Sequence, residues 1–190
     1  MTQILTNEEG KPKFDPNRRF CPMDEKLIEM FVEQISNERF NEFLYRSFAN
    51  YFSSEGLNKL HDYYIARADE EAKHATWIFN WLTYNDAEFQ YPKIDEINIE
   101  ITDRKRPFAI TVDQEIQTTD EINALVDRAF EVKDYQTIAW LNGNGPIEGN
   151  LCPEQAEEES VSRAIRDMSE ESNTSWQIIE TTIYNFYKNS

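Results

Sequence analysis

The sequence predicts an all-α fold: a four-helix bundle with a long crossover between its second and third helices and a short fifth helix at the C-terminus. Three observations carry this. Two stretches of close to thirty residues run without glycine or proline and keep a helical apolar period. About twenty residues that do not keep it follow them. Three of the five glycines then cluster between 142 and 150, the strongest break in the chain.

At 190 residues the chain suits one domain. A net charge of −17 argues against nucleic acid or an anionic membrane as partner, because both need basic patches. Cys21 and Cys152 are too few and too distant for a disulfide framework or a cysteine zinc site, so a reducing, cytoplasmic setting is expected. The N-terminus lacks the pattern of an export signal, and no window approaches 18 consecutive apolar residues.

Residues 1–21, with Pro12 and Pro16 and no periodicity, read as an irregular arm ahead of a domain over 22–190. Pro22, Asp24 and Glu25 open the first helix, expected over about 24–53. Its stripe is Leu27, Phe31, Gln34, Glu38, Tyr45 and Phe48. A carboxylate at Glu38 is costly among core positions unless it is paired or binds a cation.

The second helix, about 56–83, carries Leu60, Tyr64, Ala68, Glu71, His74 and Ile78 in one stripe, again apolar except at its centre. Glu71 and His74 stand three apart, within reach of one ion on a helix face. Two long helices joined by a short turn run antiparallel, so their mid-points meet. His61 has no acidic partner in the stripe and reads as a packing or surface residue.

Residues 84 to about 106 read as a crossover along the bundle, with an edge strand at 97–101 as the alternative suggested by alternating isoleucines. The third helix, about 108–133, sets Glu115 among Val112, Ile122 and Ala129. After a Gly-rich insertion at 142–150, a fourth helix is expected over about 153–168, bearing Gln155 and Glu158, and a fifth over 175–187.

Four helices thus offer inward oxygen or nitrogen ligands: Glu38, Glu71 with His74, Glu115, and Gln155 with Glu158. Hard carboxylates with one imidazole suit iron, manganese or zinc.

In these motifs, 33–38 through Tyr45, Gly56-Leu57 through 68–75, and 153–159, the sequence resembles the prokaryotic non-haem ferritins over about residues 22–190. The resemblance implies a ferritin-like bundle with a di-iron ferroxidase centre made by Glu38, Glu71, His74, Glu115, Gln155 and Glu158, beside which Tyr45 sits. It also implies a third iron at Glu70, Glu154 and Glu157 with Glu158, leaving Glu159 to solvent. Catalytic roles then fall to Glu38, Glu71, His74 and Tyr45. The implied function is iron storage: Fe(II) is oxidised by O₂ or peroxide and kept as mineral in a homo-oligomeric shell of 24 subunits, with no nucleic-acid or membrane partner. Ala72 stands where bacterioferritins carry a haem-ligating methionine, which implies no haem. Glu154 and Glu158 are followed at the Glu-x-x-His spacing by Glu157 and Val161, which favours the non-haem pattern.

The chain departs from the family in its N-terminal arm, in an expected shortened start of helix three with a proline nearby, and in the insertion at 142–150. In ferritins that last region lines the threefold pore by which iron enters. Two other readings remain at this point: a ferritin-like shell with a remodelled pore and little oxidation, and a soluble di-iron oxidase, which would normally need a second Glu-x-x-His.

Overall fold

A computed structural model describes residues 23–170 and 174–189; the arm at 1–21 and Cys21 lie outside them. Among the described residues there are six helices and no strand: α1 Glu25–Ser54, α2 Asn58–Tyr84, α3 Arg106–Glu131, α4 Tyr135–Leu141, α5 Leu151–Ser169 and α6 Trp176–Tyr187.

α1 begins at Asp24, whose carboxylate accepts the Leu27 amide at 3.1 Å and also binds Arg128 of α3 at 2.8 Å. One acid therefore caps a helix and ties it to another. α1 ends in a Schellman turn: Gly56 takes φ +73°, its amide donates to Ser53 O, and Leu57 donates to Phe52 O. The same pair of bonds closes α2 at Asp86 and α3 at Lys133, both non-glycine residues with positive φ, and α4 at Gly143.

α1 packs along α2, and α3 along α5. Arg104, just before α3, bonds Glu55 at the far end of α1, while Arg128 near the end of α3 meets Asp24 at the start of α1. So α3 runs antiparallel to α1, and the connection from α2 spans the bundle length, as the crossover reading requires. It is an extended strap without a strand ladder. Lys93 O accepts from Ser36, Tyr91 OH accepts from Arg39, and Ile97, Ile99 and Ile101 lie half-buried on the core. The period-2 isoleucines record one-sided burial, so the edge-strand alternative falls.

Two boundaries and one additional helix differ from expectation. α3 starts at Arg106 and is 26 residues long, so it is not shortened; Pro107 sits in its first turn, where the missing N–H has no intrahelical partner. α5 starts at Leu151, two residues before Pro153, for the same reason. α4 was not expected at all: Asp134 caps it by accepting the Thr137 amide at 3.0 Å.

The core divides into two apolar clusters, one around Phe31, Ile78, Trp81 and Trp140, the other around Phe48, Phe52, Tyr64 and Phe108. Between them lies a waist of buried polar side chains from α1, α2, α3 and α5. Trp140 stacks on Trp81 at 4.8 Å and meets Phe31 edge-on at 5.9 Å. The Gly-rich loop closes over it: Trp140 Nε1 donates to Glu148 O at 3.0 Å, and a Cβ on Gly149 would run into the indole.

That loop leads straight into the turn of α5 that carries Glu154 and Gln155. Gly149→Ala is expected to destabilise the fold by about 2 kcal/mol through overpacking. A thermal melt unchanged by the substitution would show that the loop does not clasp Trp140.

Candidate metal centre

The polar waist is built from helical spacing. Gln34, Glu38, Asn41 and Tyr45 recur on α1 at three- and four-residue steps; Arg67, Glu71 and His74 do so on α2. Glu115 comes from mid-α3, and Gln155 and Glu158 from the first two turns of α5. All of these are buried, Glu38 and Glu115 completely.

Among the described residues, three triplets present ligand atoms within 4.8 Å of one another: Glu38, Glu71 and His74; Glu71, Glu115 and Glu158; and His74, Glu154 and Glu158. Glu71 belongs to the first two, so one carboxylate can serve two ions. His74 is centred among acids, with Nδ1 3.7 Å from Glu38 and Nε2 3.1 Å from Glu154 and 3.7 Å from Glu158.

Neighbours hold the carboxylates in place. Gln34 donates to Glu38 at 2.8 Å, and the Gln155 amide donates to Glu115 Oε2 at 2.9 Å and to the Glu115 carbonyl at 3.1 Å. Tyr45 OH donates to Glu115 Oε1 at 2.6 Å. Glu38 Oε2 and Glu158 Oε2 are buried without a hydrogen-bond partner. Buried carboxylate oxygens left open in this way are costly, and they fit a cation ligated between them.

The residue that sequence reasoning missed is Arg67. Its guanidinium is 2 % exposed and binds Glu115 at 2.6 Å, Glu70 at 2.8 Å and Glu158 at 3.1 Å, with Glu71 at 3.8 Å. It stands four residues before Glu71 and three before Glu70, a spacing that places all three on one helix face.

Electrostatics follow from crowding. Burial pushes the Glu71 carboxyl well above the usual range, and Glu38 and Glu115 push the same way. Burial likewise lifts Glu158, against Arg67 and His74, to about 7. Burial opposes charge on His74, yet Glu158, Glu154 and Glu38 outweigh it and raise the imidazole to about 10. Glu38 ends below its ordinary value because His74, Glu71 and Gln34 overcome its burial.

Of the outer acids, Glu70 accepts from Arg67 and from Tyr187 of α6, the latter at 2.7 Å. Glu154 binds Lys73 and His74, and Glu157 is exposed. Glu70, Glu154, Glu157 and Glu158 line a cavity of about 480 Å³ with Arg67 and Tyr187. Glu159 is not left to solvent: it accepts from Thr119 at 2.7 Å and joins α5 to α3. His61 is a packing residue, its Nδ1 3.1 Å from Ala49 O.

A crossover four-helix bundle with carboxylates and one imidazole in its waist is the architecture that places metal ligands on facing helices. Residues 28–144 match the family model described as a ferritin-like domain, and the chain belongs to that family. It is 27 % identical over 139 residues to a bacterial non-heme ferritin of Staphylococcus aureus, covering 73 % of this chain and 80 % of the relative. A bacterial non-heme ferritin of Campylobacter jejuni is 26 % identical over 145 residues, covering 76 % and 83 %.

Two solved Archaeoglobus fulgidus ferritins share the fold at 24 % identity. One is described as an open-pore ferritin (TM-score 0.76, covering 86 % of this chain and 97 % of that one) and one as an engineered closed form (0.75, covering 85 % and 96 %). The family match ends before α5, so Glu154, Gln155 and Glu158 enter the site on geometry. No helix among the described residues is long and apolar enough to cross a membrane.

Proposed function

We propose that this chain is an iron-storage ferritin subunit that oxidises Fe(II) at the intra-bundle centre. The reading is carried by two buried ligand triplets that share Glu71. In it, iron is the substrate: one ion lies between Glu38, Glu71 and His74, the other between Glu71, Glu115 and Glu158, with Gln155 and Tyr45 steadying Glu115. Each Fe(II) gives up one electron, and O₂ takes two electrons and two protons to leave as hydrogen peroxide; peroxide can itself serve as oxidant, ending as water.

The protein's contribution is position and charge. Binding a cation relieves repulsion among the acids and displaces the protons that burial keeps on Glu71 and that neighbouring acids keep on His74. Glu70, Glu154, Glu157 and Glu158 around the 480 Å³ cavity are assigned to a third iron on the same reading. The rest of it is a cytoplasmic shell of 24 copies without haem.

Native mass and iron loading test the proposal together. A particle of about 24 subunits that takes up Fe(II) and retains it as Fe(III) is the expected result; a monomer or dimer that retains none overturns it.

A further inference from the structure

We infer that Arg67 is a displaceable counter-cation that holds the place of the second metal, so that the two ions bind in sequence and with unequal affinity. The inference rests on the metal centre proposed above. Its observation is where the guanidinium lies. The triplet Glu71, Glu115 and Glu158 brings its oxygens within 4.8 Å of one another, and Arg67 already engages all three, at 3.8, 2.6 and 3.1 Å. A planar cation bonded to those oxygens and a metal ligated by them cannot both be accommodated. The triplet Glu38, Glu71 and His74 carries no such occupant; its Glu38 Oε2 is without a hydrogen-bond partner.

Arg67 also has somewhere to go. Nη1 reaches Glu70, and Arg67 lines the cavity with Glu70, Glu154 and Glu157, so a change of rotamer moves the charge to acids outside the second triplet. Its Nε makes no hydrogen bond, which leaves the side chain held only at its tip. Displacement exchanges one charged partner for another and leaves no charge buried alone, an outcome that would be strongly unfavourable. The first ion therefore displaces protons from Glu71 and His74 but no neighbouring side chain. The second must first move Arg67.

Calorimetric titration of the whole purified protein with Zn(II), which has no redox chemistry of its own, reads this directly. Wild type is expected to take one ion per subunit tightly and a second at least about tenfold more weakly, a gap of roughly 1.4 kcal/mol. Arg67→Gln should close the gap by tightening the second site, and its thermal stabilisation by Zn(II) should exceed that of wild type. Arg67→Lys keeps a charge at this position and should leave the second site weak.

Two equal sites in wild type would overturn the role of Arg67 while leaving the metal centre standing. Absence of any bound Zn(II) would overturn the centre itself. If Arg67→Gln does not fold, two equal sites in wild type would still overturn the role of Arg67, and Arg67→Lys still tests it.

Discussion

Glu71→Gln is expected to slow Fe(II) oxidation by at least about 100-fold while leaving the fold as stable as wild type or more so. Removing even an outer partner of a metal ligand commonly weakens a site ten- to a hundredfold, and Glu71 is shared by the two triplets that would hold the two ions. A glutamine keeps the volume and one oxygen but cannot supply a charge to two cations. Stability moves the other way because burial, with Glu38, Glu115 and Glu158 adding to it, holds the Glu71 carboxyl well above its usual range. A neutral amide removes that strain. His74→Ala should also slow oxidation, since it removes the one imidazole in the waist. Stopped-flow oxidation under O₂ measures both, with Glu159→Gln as a control that alters only contacts to Thr119 and Arg163. Wild-type rates in both Glu71→Gln and His74→Ala would place the chemistry elsewhere.

The residues behind that prediction were legible because each breaks a rule. Glu38, Glu71 and Glu115 interrupt apolar stripes at the depth where facing helices meet, and a carboxylate there demands a cation. Arg67 escaped the same logic. With 19 lysines and arginines in the chain, one more basic residue beside Ala68 reads as solvated until its spacing to Glu70 and Glu71 is counted. α4 escaped for another reason: the break before it is made by Lys133 at φ +60°, not by the glycine or proline that marks such a turn. Tyr187 reaches Glu70 across 117 residues of chain, and no local pattern encodes that contact. Helical periodicity reports which face is buried. Which buried cation sits among which acids depends on how four helices are assembled.

In the metal-free protein, Glu158→Gln is expected to be progressively stabilising relative to wild type as pH rises from about 5 to 8. Glu158 titrates near 7 in the folded chain against an ordinary value of 4.5, lifted by burial and only partly pulled back by Arg67 and His74. Between those values the folded state holds a proton that the unfolded state has released, so the stability of wild type falls as pH rises through that window. The full effect is present by about pH 8, where 2.5 pK units correspond to roughly 3 kcal/mol. Glutamine does not titrate and escapes the loss. Thermal melts of the two proteins at about pH 5 and pH 8 give the difference; one that stays constant would mean that Glu158 ionises as freely folded as unfolded. Adding Zn(II) at pH 8 should then reverse the order. The metal recovers in wild type the charge that burial made unfavourable, whereas the glutamine variant has no charge to offer. A side chain that weakens the empty fold and strengthens the filled one is the physical signature of a ligand retained for what it binds.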